Sequence, residues 1–176
     1  MVRVTSPRVS VIIPTYNRND RLSDLLKSLA IEIQNTKHRV EIQTVVVDDS
    51  EANIDDRVEK QFIHELGESR FTCLWSGGNR YPSFCRNLGA RHANGDILVF
   101  VDDDNRLSGH VLEHVAWCLG SFPSLGMLGV VNYDDKGAVW CVGGRLIRTP
   151  FSLLTTNLRK VPDNWGQVVV VDYVPN

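Results

Sequence analysis

Three adjacent carboxylates, Asp102, Asp103 and Asp104, follow an apolar run in the stretch ILVFVDDDNRL at 97–107. Like charges about 7 Å apart in a partly desolvated site repel by roughly 2 kcal/mol per pair at an effective dielectric constant near 20. A cation, hydrogen bonds or exposure to water must offset that repulsion. If the strand geometry continues, Asp102 and Asp104 share side-chain parity and can face one cation. Oxygen ligands of this kind suit Mg²⁺ or Mn²⁺, which commonly take one or two carboxylates plus substrate phosphates.

Two further polar clusters follow apolar runs in the same way. The segment RVSVIIP at 8–14 leads into TYNR, and three valines lead into Asp48 and Asp49. In parallel α/β sheets, ligands bind beyond the carboxyl ends of the strands, so these clusters and DDDN are expected to lie together. Acidic residues often begin loops, and one such position alone would mean little. Two of them in one α/β pattern favour a binding site.

The elements that would position these clusters are predicted from hydrophobic periodicity. Strands are predicted over 8–14, 40–49, 70–76, 96–101, 125–133, 138–147 and 167–174. Helices are predicted over 21–33, 54–66, 83–93 and 109–122. Strands that alternate with helices predict an α/β fold with a mostly parallel sheet. Because no repeat or linker interrupts the pattern, one domain over 1–176 is expected.

Composition excludes several classes of protein. A net charge of -2 over 176 residues gives no argument for nucleic acid as the main partner. No apolar run is long enough to predict a membrane span. The four cysteines form no C-x-x-C pair and are expected to be buried thiols in a reducing compartment. A location in the cytoplasm, or peripheral at the inner face of the membrane, is predicted.

Other chemistries lack their motifs. HVLEH at 110–114 spells an inverted zinc-protease motif, but no glutamate follows Glu113 to complete the ligand set. No G-x-G-x-x-G follows the first strand, and neither a P-loop nor a G-x-S-x-G nucleophile motif occurs. A nucleotidyltransferase would need a glycine-rich loop where this chain has PTYNRND. These hypotheses are therefore disfavoured.

Four segments in order, VSVIIPTYNR, VVVDDS, RNLGARHANGDILVFVDDDN and VDYVPN, resemble the successive blocks of family-2 glycosyltransferases of GT-A fold. The resemblance covers nearly the whole chain. It implies a Rossmann-like, three-layer α/β/α sandwich of the nucleotide-diphospho-sugar transferase type. It also implies a metal-dependent, inverting hexosyltransferase. The donor would be a nucleotide-diphospho-sugar, with a UDP-sugar favoured, and the acceptor a hydroxyl of an unknown sugar, lipid or polysaccharide.

The resemblance also assigns roles to residues after the first strand and in the RN-x-G block. It implies that Pro14, Thr15 and Tyr16 lie against the nucleobase and ribose, with Arg18 nearby. Arg86 would lie near the base-binding carboxylate or the diphosphate. A solvated helix face remains the alternative for arginines of this segment, and is favoured for Arg91.

The acidic segments receive their roles from the same resemblance. Asp49 would hydrogen-bond the base, and Asp48 would hold the turn around it. Asp104 would be the main ligand of Mn²⁺ or Mg²⁺, with Asp102 as a second ligand, while Asp102 or Asp103 would contact the ribose. On this interpretation the metal and the nucleotide offset the repulsion between the three carboxylates.

The chain departs from the family pattern in two places. The turn DDSEAN has no glycine between Asp49 and Ser50. In the family, the block matched by VDYVPN leads into an acceptor-side region that carries the general base. Asp163 and Asp172, the last carboxylates here, lack the right surroundings, so the catalytic base is unassigned. A donor-binding domain truncated at its C-terminal end is expected, and a nucleotide-sugar binding module without turnover is the alternative.

Overall fold

The structure, a computed structural model, describes residues 6–36, 39–51, 56–141, 143–148 and 153–158. The chain divides into two compact units, Met1–Phe122 and Pro123–Asn176. All three segments singled out for their chemistry, TYNR, DDS and DDDN, belong to the first unit. That residues 1–176 form one domain stays a prediction.

Strands and helices alternate throughout the described part of the first unit. In chain order they are β1 (Arg8–Thr15), α1 (Asn19–Asn35), β2 (Glu41–Asp48), α2 (Asp56–Leu66), β3 (Phe71–Trp75), α3 (Tyr81–His92), β4 (Ile97–Phe100) and α4 (Val111–Ser121). The sheet has the order β3-β2-β1-β4, and every neighbouring pair is parallel. The predicted α/β class and parallel sheet are confirmed, and the element ends agree with the sequence to about two residues.

Successive side chains of the strands face two different layers of helices. Val11 of β1 is fully buried in a core with leucines of α1, Phe62 of α2 and Leu112 of α4. On the other face, Cys85 of α3 packs with Val47 of β2. Helices therefore lie on both faces of the sheet, in the three layers that the resemblance implies. None of the described helices is both long and apolar enough to cross a bilayer.

β4 differs from the buried strand that its apolar sequence suggests. It lies at the end of the described sheet, where Leu98 is 41% and Phe100 47% exposed. Ile97 and Val99, which alternate with them, pack against the main core. On the face of Leu98 and Phe100, α3 packs on β1 and β2, so burial on that side does not extend to β4.

The second unit contains two antiparallel hairpins in its described part. They consist of β5 (Asn132–Tyr133) with β6 (Val139–Cys141), and of β7 (Gly143–Arg148) with β8 (Leu153–Leu158). The strand predicted over 125–133 forms only at its last two residues, because Gly126 and Gly129 interrupt the run. The strand predicted over 138–147 is divided between the two hairpins, and β8 was not predicted. The strand predicted over 167–174 lies outside the described residues.

Candidate active site

The carboxyl ends of β1, β2 and β4 bring the three predicted clusters together. Thr15 and Asp48, the last residues of β1 and β2, are paired in register. The N–H of Asp49 donates to the carbonyl of Thr15 at 2.9 Å, and the N–H of Val101 donates to the carbonyl of Ile12 at 3.0 Å. The acidic segment after β4 therefore runs alongside the end of β1, as the rule for parallel sheets predicts.

Asp103 is the buried member of the three adjacent carboxylates. Only 5% of the residue is exposed. Its Oδ2 accepts a hydrogen bond from Thr15 Oγ1 at 2.8 Å, and its Oδ1 accepts one from Arg18 Nη1 at 3.1 Å. Since a buried carboxylate is costly unless it is paired and hydrogen-bonded, these two partners explain how Asp103 can anchor the segment.

Asp102 and Asp104 point to different arginines. Arg86 Nη2 lies 2.6 Å from Asp102 Oδ1. Asp104 Oδ2 lies 3.5 Å from Arg18 Nη1 and 3.6 Å from Arg21 Nη1. Guanidinium groups thus offset the repulsion between the carboxylates within the protein itself.

The shared parity expected for Asp102 and Asp104 depended on a continuing strand, and this condition is not met. β4 ends at Phe100, and the backbone forms a turn at Asp103 and Asp104. The N–H of Asn105 donates to the carbonyl of Asp102 at 3.1 Å across this turn. The alternation of a strand therefore no longer decides which way these side chains point.

Asp48 closes the turn that follows β2. Its Oδ1 accepts hydrogen bonds from the backbone N–H and the hydroxyl of Ser50. The Ser50 hydroxyl oxygen in turn accepts the N–H of Asn17 at 2.8 Å. Asp48 is 1% exposed, so a buried carboxylate fixes the turn after β2 against the loop after β1.

The carboxylate of Asp49 accepts hydrogen bonds from the amino end of α3. It accepts the backbone N–H groups of Arg80 and Tyr81 at 2.8 to 2.9 Å, and also the hydroxyl of Ser76. Burial is the largest influence and raises the pKa of Asp49, but these hydrogen bonds and one from the Cys85 thiol outweigh it and hold the pKa below its ordinary value. Most of the roughly four acceptor positions of a carboxylate are thereby in use.

The remaining predicted residues occupy the same edge of the sheet. Pro14 is buried within β1, opposite Val47, while Tyr16 lies just beyond the strand and is 45% exposed. Arg86 extends from α3 to the acidic segment, and its Nε is buried without a hydrogen-bond partner in the described residues. The structure therefore brings together every residue that the sequence assigned to the site.

A divalent cation fits this edge only if the substrate supplies most of its ligands. Among the described residues, no three or more His, Cys, Asp or Glu side chains are grouped to hold a metal ion. Asp103 has both oxygens engaged, whereas the Asp104 side chain is 42% exposed and lies 3.5 Å or more from the arginines that it faces among the described residues. Mg²⁺ is commonly bound by one or two carboxylates plus phosphates and water. Asp104 would meet that requirement as one ligand, whereas Asp102 would first have to leave Arg86.

Three contributors to the site were not singled out as site residues from the sequence. Ser50 and Ser76 hold Asp48 and Asp49, and Arg21 faces Asp104. The rule that flagged the other strand ends would also have flagged Ser76, which follows β3. Arg18 and Arg21 are three residues apart at the start of α1, a spacing that places side chains near each other on a helix.

The fold is that of a GT-A glycosyltransferase, and the chain belongs to Glycosyl transferase family 2, whose profile matches residues 10–137. The solved structure of S. aureus TarS 1-349 in complex with UDP is 25% identical, with a TM-score of 0.57. The match covers 77% of this chain and 41% of that one.

Curated relatives agree with this assignment. The N-acetylglucosaminyltransferase of Azorhizobium caulinodans is 27% identical over 169 residues, which are 93% of this chain and 40% of the relative. The 4,4'-diaponeurosporenoate glycosyltransferase of Staphylococcus haemolyticus is 29% identical over 133 residues, which are 73% of this chain and 33% of the relative. The chain thus spans well under half the length of these two relatives.

Proposed function

We propose that this chain binds a nucleotide-diphospho-sugar at the carboxyl edge of its sheet, as the donor part of a glycosyltransferase. The observation that carries the proposal is the position of Asp104, a half-exposed carboxylate beside Arg18 and Arg21, while Arg86 pairs with the nearby Asp102. Such a group can take a metal ion, and guanidinium groups can bind a diphosphate through paired N–H donors. A UDP-sugar is the favoured donor, because the TarS structure contains UDP and the relative from Azorhizobium is an N-acetylglucosaminyltransferase.

Each residue of the edge has a defined part in this proposal. Asp104, with Asp102, would hold Mn²⁺ or Mg²⁺, which when bound acts as a Lewis acid toward the departing nucleoside diphosphate. Arg86, whose side chain is 20% exposed, would offer guanidinium N–H groups to the phosphates. Thr15 and Asp103 keep the acidic segment in place. The exposed ring of Tyr16 is the surface proposed for the nucleobase and ribose, with the buried Pro14 behind it.

The part proposed for Asp49 is more constrained. The Asp49 carboxylate already accepts backbone N–H groups at the amino end of α3. A direct hydrogen bond to the base would have to use an acceptor position that these bonds leave open. Asp49 therefore acts on the donor chiefly by fixing α3, the helix that carries Arg86. Asp48 has the corresponding part for the turn at Ser50.

Transfer with inversion stays a prediction. An inverting transferase needs a general base to take the proton of the acceptor hydroxyl, and no residue of this chain is assigned to that role. The acceptor, a sugar, lipid or polysaccharide, and the location in the cytoplasm or at the inner face of the membrane are likewise predictions from the sequence. A nucleotide-sugar binding module without turnover is therefore the second candidate.

Release of UDP from UDP-GlcNAc and UDP-glucose in the presence of Mn²⁺ separates the two candidates. A transferase should release UDP slowly to water, and Asp104→Asn should reduce that rate about tenfold or more, since a metal ligand is lost. Asp96→Asn, which makes the same change on a carboxylate paired with Arg8 at the opposite edge of the sheet, should leave the rate unchanged. Binding of the UDP-sugars without release of UDP would favour the binding module. If the folded protein shows no binding and no release, the proposal is refuted.

A further inference from the structure

Two guanidinium groups converge on one oxygen of Asp104. Arg18 Nη1 and Arg21 Nη1 lie 3.5 and 3.6 Å from the same Oδ2. Arg18 also lies 3.1 Å from Oδ1 of the buried Asp103 and so bridges the two carboxylates. This oxygen belongs to the residue expected to be the main metal ligand. The protein thus places its own cations where a divalent cation is expected.

The backbone at the start of α1 fixes both arginines at this place. Arg18 is the N-cap residue of α1, and its carbonyl accepts the N–H of Leu22 at 3.0 Å. Leu22 is fully buried, so the first turn of the helix is anchored in the core. The side chains of Arg18 and Arg21 nevertheless remain 52% and 63% exposed. Their guanidinium groups can therefore move while the backbone that carries them stays in position.

A metal ion at Asp104 would meet these positive charges at short range. We propose that Arg18 and Arg21 are the counter-cations of Asp104 in the free protein. A divalent metal must displace their guanidinium groups, which then pair with the diphosphate of the donor. This inference rests on the proposed function, because it concerns the same metal and donor. It assigns Arg18 to the metal and diphosphate rather than to the nucleobase, and it adds Arg21 to the site.

Because the metal displaces guanidinium groups that the diphosphate then binds, the binding of the metal and the binding of the nucleotide are coupled. Without a nucleotide, the metal competes with two arginines that have no new anion to bind, so its affinity is low. With a nucleoside diphosphate present, the displaced guanidinium groups would pair with phosphate oxygens, and Asp104 would be left to hold the metal. Each ligand should therefore raise the affinity of the other by the same factor.

The test is a titration of the 176-residue chain with Mn²⁺, with and without UDP, in which free Mn²⁺ is measured by electron paramagnetic resonance. The variants are Arg21→Gln and Arg18→Gln, with Arg8→Gln as the matched control. Arg8 makes an exposed ion pair with Asp96 at the start of β1, the opposite end of the strand from Thr15. Its loss removes the same charge about 20 Å away, beyond the Debye length at physiological salt.

Without UDP, Arg21→Gln should bind Mn²⁺ about two- to fivefold more tightly than the unchanged protein, the range expected for one exposed ion pair. Arg8→Gln should match the unchanged protein. The factor by which UDP raises Mn²⁺ affinity should be smaller in both Arg21→Gln and Arg18→Gln. Since Arg21 is exposed, its variant tests the inference even if Arg18→Gln disturbs Asp103.

The failures of the inference and of the proposed function are distinguishable. If UDP promotes Mn²⁺ binding equally in all four proteins, and Arg21→Gln gains nothing without UDP, the counter-cation role is wrong while the donor site stands. If the folded, unchanged protein binds no Mn²⁺ even with UDP, the metal assignment and this inference both fail.

Discussion

Thr15 and Asp103, 88 residues apart in the sequence, are joined by a buried 2.8 Å hydrogen bond from Oγ1 to Oδ2. Thr15 ends β1, and Asp103 lies in the turn just beyond β4. The bond therefore fixes the spacing between two loops that together form the proposed donor site. Because Arg18 also contacts Asp103, the same carboxylate organises the start of α1. The position of Asp104 depends on this anchor.

Replacement of Thr15 by valine should destabilise the protein by about 1–3 kcal/mol, the cost of leaving a buried polar group without its partner. The shape of the side chain is retained, so the loss reports the hydrogen bond. Thr15→Ser keeps the hydroxyl and should lose less. Urea unfolding of the three proteins measures the difference, and equal stability of Thr15→Val and Thr15→Ser would contradict the anchoring role.

Replacement of Asp49 by asparagine should destabilise the protein at neutral pH, because an amide has one acceptor oxygen, whereas Oδ2 accepts the N–H groups of Arg80 and Tyr81 and Oδ1 accepts the Ser76 hydroxyl. Hydrogen bonds hold the folded-state pKa of Asp49 below the ordinary value of about 3.9. The stabilisation by the charged form is therefore complete above the unfolded pKa and is lost as the pH falls through the folded pKa.

The free energies of unfolding of Asp49→Asn and of the unchanged protein should thus differ most near pH 7 and converge toward pH 3 and below. Urea unfolding at several pH values gives this comparison. A deficit in Asp49→Asn that stays constant down to pH 2 would show that its charge is not what secures α3.

Replacement of Gly89 by alanine should destabilise the packing of α3 on the sheet. A Cβ at this position would lie 2.5 Å from Cγ2 of Ile12, which is fully buried, and 3.3 Å from Cγ2 of Val47. Overpacking of this kind typically costs about 1–3 kcal/mol, which exceeds the gain of up to about 1 kcal/mol in helix propensity. A net loss of stability is expected.

Gly120 in α4 provides the matched control for Gly89. A Cβ there would meet no atom within 4 Å, so Gly120→Ala should be neutral or stabilising through helix propensity alone. Thermal or urea unfolding of both variants decides the matter. If both variants gain the same stability, the close approach of α3 to β1 is not a feature of the folded protein.

The first unit could be predicted well because its signals are local. Each strand is a short apolar run, each helix has an apolar face, and strand ends carry polar clusters. The sequence therefore predicted that these clusters meet at one edge of the sheet, where the candidate site lies. The partners of the carboxylates could not be predicted in this way. Arg18, Arg21 and Arg86 reach the acidic segment only after β1 and β4 are paired, a contact between distant parts of the chain.

The failures of prediction have a similar physical origin. β4 has the composition of a buried strand, but whether a strand is covered depends on its neighbours in the sheet and not on its own residues. Short hairpins such as β5–β6 carry little periodicity. The sequence of β8, LLTTNL, lacks the alternation of apolar and polar residues that predicts a strand. The sequence also does not show that the amino end of α3 lies against Asp49, and a contact of Asp49 with the base stays a prediction.

The most direct test of the donor site is calorimetric titration of the folded protein with UDP, GDP, dTDP and CDP, each with and without Mn²⁺. The structure and the family predict that one nucleotide, UDP in the favoured case, binds tightly only when the metal is present, and that Asp104→Asn abolishes this metal-dependent gain. Absence of binding by all four nucleotides, in a sample shown to be folded by circular dichroism, would contradict the donor-site account while leaving the fold unaffected.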